Sequence, residues 1–416
     1  MQRILLATTA AIALASPAAA VDRAAVIENY MNIAAAKYAD SVTTAKRLGV
    51  AVDELIANPS ELTLAQARAA WIASRPSYQQ TEVYRFGNAI VDDWEGKVNA
   101  WPLDEGLIDY VAVGGATDEN PYGDLNIIAS TTLEVSGRSI DATEITAELI
   151  EELHELDEIE ANVTTGYHAV EFLLWGQDLN GTGPGAGERP ATDFDTANCT
   201  NGNCDRRAQY LKVATELMIA DLEEMAGYWA PGGEARAELT GKGEEGAITS
   251  ILTGMGSLSY GEQAGERMKL GLLLNDPEEE HDCFADNTHN SHYYDGLGIR
   301  NVYVGRYVGV DGRVVEGPSL SDLVAEINPE ADARLTASLN ETVLALGAIK
   351  TTAEAGMAYD QMLAPGNEAG AALVQSAIDA LVAQTRDIER AVSVLGLDQI
   401  AFEGSDSLDN PTAVFQ

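Results

Sequence analysis

Basic residues, histidine and cysteine are all scarce in this chain of 416 residues, which holds 25, five and three of them. Set against 66 acidic residues, the shortage of bases leaves a formal charge of −41. That balance excludes nucleic acid and anionic membrane as partners, because both need a basic face. It concentrates cations near the surface, yet solvated acid accounts for most of it and no metal site follows from charge alone. Past the N-terminus no stretch approaches the ~20 continuous apolar residues of a membrane span. Hydrolase motifs are missing too. There is no G-x-S-x-G elbow and no H-E-x-x-H, and the inverted H-x-x-E-H fails because Phe172 follows Glu171. The glycines of NGTGPGAG do not make a phosphate loop, since no Gly-Lys-Ser/Thr follows and no strand precedes.

What is present begins with an export signal. Arg3, the largely apolar run Ile4 to Ala15 and the Ala18-Ala19-Ala20 exit read as a cleavable secretory segment over residues 1–20. The mature protein is therefore expected to start at Val21 and to be periplasmic. In that oxidising compartment Cys199 and Cys204, which bracket the turn CTNGNC, are expected to pair and leave Cys283 as a free thiol.

Helical periodicity dominates the rest. Ile27, Met31, Ala34, Tyr38, Ala45 and Leu48 mark one amphipathic helix. Thr63 reads as the cap of a second, interrupted at Pro76. Leu211 to Trp229 carries a third stripe, and Val374 to Leu395 holds a seam for three heptads. Strand-like text is confined to YVGVDGRVVEG, a small hairpin turning at Asp311-Gly312. The pattern predicts an all-α protein of two helical bundles of similar size, residues 21–245 and 246–416, divided at the Gly-rich stretch 231–246. A long helix pair in each half points toward duplication, although no internal repeat is visible.

The segment GYHAVEFLLWG, Gly166 to Gly176, carries the sharpest chemistry. His168 and Glu171 stand three apart on a largely apolar helix, so both are expected to point into protein. A buried carboxylate costs several kcal/mol unless a proton, donors or a cation compensate it. A metal is one such compensation, and a plain hydrogen bond between the two side chains is the bland one. Chance bears on the choice. Roughly 1.6 acids are expected at ±3 from five histidines, and six are found.

The second rich segment, DPEEEHDCFADNTHNSH over residues 276–292, offers His281, His289 and His292 among acids. Imidazole and carboxylate suit iron and zinc, but a solvated acidic loop rich in turn-forming Asn and Asp is the favoured reading. Two E-x-x-H pairs, Glu151/His154 and Glu278/His281, resemble di-iron bundle ligands without lying on convincing helix faces.

GYHAVEFLLWG resembles the G-x-H-x-x-E signature of the imelysin family. The resemblance continues through RPSYQQTEVYRFG, DDWEGKVNAWPLDEGLIDYV, RPATDFDTANCTNGNCDRRAQYL, GSLSYGEQAGERM and EEEHDCFADNTH. It is strongest to the iron-regulated protein A branch. It implies two four-helix-bundle-like domains with the signature near their interface, and a site at Gly166, His168 and Glu171, with Glu82 and Asp104 as further metal-binding candidates. Gly166 is expected to let a neighbouring helix or ligand approach closely. Two functions are implied. One is periplasmic binding of a divalent or ferric metal ion, iron above all, working with membrane-bound iron-uptake components. The other is a zinc peptidase with His168 as ligand and Glu171 as ligand or general base.

Overall fold

The computed structural model describes residues 20–415 apart from 113, 115, 118 and 119. The expected export signal lies outside the described residues except for Ala20. Among them, no helix is long and apolar enough to cross a membrane.

The chain is all-α. Helix α1 (Arg23–Ala57) starts where the Asp22 carboxylate accepts the Ala24 N–H, and it buries the stripe read from sequence, Ile27 to Leu48. Helix α2 (Glu61–Gln79) starts three residues earlier than expected. Ser60 is its cap, and Thr63 is the reciprocal partner in a capping box. Nor does Pro76 stop it. Ser74, Arg75, Ser77 and Tyr78 are all buried, and that packing holds the chain helical through the proline.

Helices α3 (Ala89–Asn99), α4 (Glu105–Ile108), α5 (Ala147–Leu153), α6 (Gly166–Trp175) and α7 (Cys204–Trp229) complete the first half. Long α1 packs on α2 and α7, and short α6 is wedged among α2, α3 and α7. Every residue of α6 is consequently buried.

The Gly-rich stretch 231–246 is itself helical, holding α8 (Glu234–Gly241) and the start of α9 (Gly243–Ser257). A π-helix follows over Leu258–Lys269, then α10 (Leu270–Leu274) and α11 (Thr288–Tyr303). Helices α12 (Leu320–Ile327), α13 (Pro329–Glu354), α14 (Tyr359–Leu363) and α15 (Glu368–Val394) then pack around the π-helix and α11. Helix α11 touches both α2 and α13, so the segment just before it, residues 276–287, lies close to the elements carrying the signature.

Strands among the described residues form two antiparallel hairpins. The expected one is β3 (Arg306–Val308) with β4 (Val314–Glu316), and Gly312 has φ +81° in its turn. Numbering in chain order makes the other β1 (Thr132–Val135) and β2 (Arg138–Asp141), turning through Ser136 and Gly137 at φ +49° and +73°. Strands of four residues are too short for a period of two to stand out.

Candidate metal centre

Helix α6 is placed by its first residue. Gly166 has φ +80°, and a Cβ built there would lie 2.4 Å from the Val98 carbonyl oxygen of α3. Only glycine allows both that dihedral and that approach. The Trp71 indole of α2 donates to the Tyr167 carbonyl at 3.0 Å and packs against Tyr167 and Trp175. Two residues beyond the glycine, the His168 ring is fixed inside the protein.

His168 Nδ1 lies 3.0 Å from Glu171 Oε2. The other Glu171 oxygen accepts the Ala285 N–H at 3.0 Å. Both Glu171 oxygens are therefore engaged, one behind the imidazole and one on the segment before α11. Burial, with the Asp282 charge added, pushes the Glu171 carboxyl well above its ordinary range. Burial, reinforced by Arg75, presses His168 down to about 3, so its ring is neutral.

Facing His168 is His281, with ring centroids 4.7 Å apart and near-perpendicular planes. Trp101 covers the far edge of His281 at 5.7 Å. One ring nitrogen of each histidine and one Asp282 oxygen lie within 4.8 Å of one another. Nε2 of both rings is buried without a hydrogen-bond partner. Gln79 Nε2 stands 3.4 Å from His281 Nδ1 and its Oε1 has no partner; a flip of this amide would bring the oxygen to Nδ1, where it would accept the ring proton and leave Nε2 a lone pair.

Asp282 is held as an anion. Arg75 NH2 donates to Oδ1 at 2.8 Å, while Asn287 and Ser291 each donate to Oδ2 at 2.7 Å. Burial opposes its charge, but the adjacent Arg75 outweighs it and holds the carboxyl below the usual range. Arg75 is buried with it and is also stacked over Tyr167 at 4.7 Å. Oδ1 retains capacity beyond its single short hydrogen bond.

The candidates from sequence divide. The structure brings Gly166, His168 and Glu171 together on α6. Glu82 belongs to a neighbouring network, where Arg267 reaches it at 2.7 Å and also binds Glu262 and Asp295. Asp104 sits at the start of α4 and accepts from Asn120 at 2.9 Å. His154 is a satisfied structural histidine, its Nε2 donating to the Gly96 carbonyl at 3.0 Å. The solvated-loop reading of 276–292 does not hold for its centre. Glu280, His281, Asp282 and His292 are all buried. Sequence reasoning missed His281 and Asp282 as site residues; the block EEEHDCFADNTH, where the family resemblance extends beyond the signature, is the signal that could have found them. Cys199 and Cys204 are joined by a disulfide, and Cys283 is free and half-buried.

A cleft of about 430 Å³ runs from solvent to His281, between Trp101 and Asn99 on one side and Arg267 and Glu266 on the other. Of the three clustered residues, only His281 borders this cleft.

The family model described as imelysin, peptidase M75, matches residues 34–388. The chain belongs to the imelysin family. A structure titled as a putative iron-regulated protein A precursor from Parabacteroides distasonis is 20% identical, with a TM-score of 0.63 over 90% of this chain and 95% of that one. An imelysin-like protein from Psychrobacter arcticum is 16% identical, with a TM-score of 0.59 over 92% of this chain and 100% of that one. At such identities these structures establish a shared imelysin fold. No curated protein matches this imelysin chain.

Proposed function

We propose that this protein binds a transition-metal ion, iron foremost, through His168, His281 and Asp282, and that it serves iron uptake in the periplasm. The observation that carries the reading is two buried imidazoles, each with an unpartnered Nε2, beside an ionised carboxylate, one nitrogen of each ring and one carboxylate oxygen lying within 4.8 Å of one another. Metal–ligand bonds of about 2.0–2.2 Å need donors no more than about 4.4 Å apart, so a bound ion would draw this set slightly together. Two histidines and one carboxylate are a donor set used by non-haem iron(II) and by catalytic zinc. Glu171 takes the role of orienting group: accepting from Nδ1, it presents the Nε2 lone pair and raises the basicity of the ring. The relative titled as an iron-regulated protein A precursor favours iron as the cargo. Export through a signal ending at Ala20 belongs to the same proposal, and the mass of exported protein beginning at Val21 tests it.

The peptidase reading is weaker on one specific point. A metallopeptidase needs a carboxylate free to act on a metal-bound water, and both Glu171 oxygens are already engaged.

Titration calorimetry of metal-free protein with anaerobic iron(II) and with zinc(II) tests the proposal. His168→Ala and His281→Ala should each weaken binding at least tenfold, about 1.4 kcal/mol. Metal should raise the melting temperature of the wild type and hardly that of either variant. Equal affinity in all three proteins would exclude this site. Chelator-sensitive peptide cleavage, restored by zinc and abolished by Glu171→Gln, would favour the peptidase.

A further inference from the structure

The segment that carries His281 and Asp282 also borders a second cluster, rich in acids. A small cavity of about 10 Å³ is lined by Glu105, Asp178, Glu278, Glu280, Asp360 and the Cys283 thiol. That is room for one water or one ion. Four separate stretches of chain supply these carboxylates. Glu278 is exposed at the rim, Glu105 and Asp178 are half-buried, and Glu280 and Asp360 form the floor.

The floor is the telling part. Glu280 is 1% exposed and Asp360 2%, and none of their four carboxylate oxygens has a hydrogen-bond partner. The Thr288 hydroxyl near Glu280, and the Gln361 and Asp360 N–H groups near the Asp360 carboxylate, come close enough to favour the ionised forms but not into hydrogen-bonding geometry. Elsewhere this protein compensates its buried carboxylates: Asp282 has Arg75, Asp109 has Arg189 and Arg207, and Glu82 has Arg267. No Lys or Arg lines this cavity. Two buried, unpaired carboxylates side by side are costly unless something positive or protonated joins them.

We propose that this cavity is a binding site for a hard divalent cation of the calcium type, held by Glu280 and Asp360 with Glu105, Asp178 and Glu278 around the rim. The donor set decides the class. Five carboxylates and one thiol suit an oxygen-seeking ion rather than a thiophilic one. Geometry chooses within that class. Among the described residues only the His168 cluster draws three donors to within 4.8 Å of one another, so no three of these carboxylates converge that closely and a cation here would be held in a loose shell. Calcium tolerates irregular shells of six to eight oxygens at about 2.3–2.6 Å and completes them with water, whereas magnesium demands a tight octahedron. Burial and like charge also hold Glu105 up at about 8 and Asp360 at about 6, the behaviour of a site lacking its counter-ion.

Such an ion would act at a distance on the first site. Glu280 precedes His281 and Asp282 directly, so a cation drawing Glu280 toward Asp360 fixes the backbone that presents them. The acidic site does not depend on the iron proposal, and the test keeps the two apart.

Calcium chloride is titrated into metal-free protein by calorimetry, with melting curves run alongside, for the wild type, Glu280→Gln, Asp360→Asn and His168→Ala. The wild type and His168→Ala should bind one calcium with affinities within twofold, and the two amide variants at least tenfold more weakly. Without calcium, and at a pH high enough to ionise both carboxyls, the amide variants should melt above the wild type, because each removes an uncompensated buried charge; with calcium that order should reverse. Wild-type protein that binds no calcium, or amide variants that bind it as well, would overturn the proposal. So would amide variants that melt below the wild type in its absence, since the carboxylates would then have partners. Preference for magnesium, or for zinc in a manner lost on Cys283→Ser, would overturn the calcium assignment. Loss of calcium binding in His168→Ala would mean the ion sits in the histidine centre instead.

Discussion

Replacing Gly166 by alanine tests the placement of the signature helix. Two costs are separable. With φ at +80°, any residue carrying a Cβ meets its following carbonyl, which costs about 1–2 kcal/mol. The added carbon would also stand 2.4 Å from the Val98 oxygen, 2.5 Å from its carbonyl carbon and 2.8 Å from its Cα. All three are backbone atoms of α3, so no side chain can rotate away. Either α3 or α6 must shift by about 1 Å, and such overpacking typically costs about 1–3 kcal/mol. Together Gly166→Ala should lose about 2–5 kcal/mol, a large share of the roughly 5–15 kcal/mol that holds a typical protein folded. Gly232 supplies the control. Its φ is +84° and a Cβ there meets nothing within 4 Å, so Gly232→Ala should incur only the dihedral cost. Urea unfolding of both metal-free variants measures the difference directly. Metal affinity should fall in Gly166→Ala alone, because His168 moves with α6. If the two alanine variants lose equal stability, the close approach of α3 does not constrain this helix and the reasoning fails.

Arg75→Met should cost about 3–5 kcal/mol, since it strands the Asp282 carboxylate in the interior; Arg75→Met with Asp282→Leu should recover part of that, and a single-variant loss under about 1 kcal/mol in urea unfolding would show the pair is not needed. Denatured, non-reduced protein should titrate one thiol, from Cys283, and removing the Cys199–Cys204 bond, which closes a five-residue separation, should cost only about 2 kcal/mol. Three titratable thiols would contradict the pairing. His292, buried against Tyr359, is pressed down to about 3 by burial and by Arg267. The unfolded chain therefore binds this proton more readily, so the stability His292 contributes is complete above pH ~6.5 and is lost as pH falls from there toward 3. The acid limb of the stability profile should flatten in His292→Gln. A His292 ring resonance titrating near pH 6.5 in the folded protein would refute it.

The all-α character and its main helices were legible from the one-dimensional pattern. The stripes of α1, α7 and α15 are long enough that a period of 3.6 is unmistakable, and burial follows that period because each helix lays one face on the core. The β3–β4 hairpin was readable from Asp311-Gly312, and the pairing of Cys199 with Cys204 from a spacing of five residues. Local signals fix local structure, and there the sequence sufficed. It also set His168 beside Glu171, a neighbourhood that any helix imposes on residues three apart. Helix ends were less secure. Ser60 and Thr63 are both good capping residues, and only the packing of Arg75 and Tyr78 keeps α2 helical past Pro76. The partners of the site were decided by tertiary structure. His281 and Asp282 lie more than 100 residues from His168, on a stretch whose acids and asparagines read as solvated turn. Their burial depends on Arg75 arriving from α2, a charge that no periodicity of the 276–292 segment can reveal. Glu82, carried over by resemblance, shows the same limit: only the tertiary structure reveals that Arg267 reaches it from the π-helix. A ligand set is a property of where chains meet, and the proposed one spans α6 and the turn before α11.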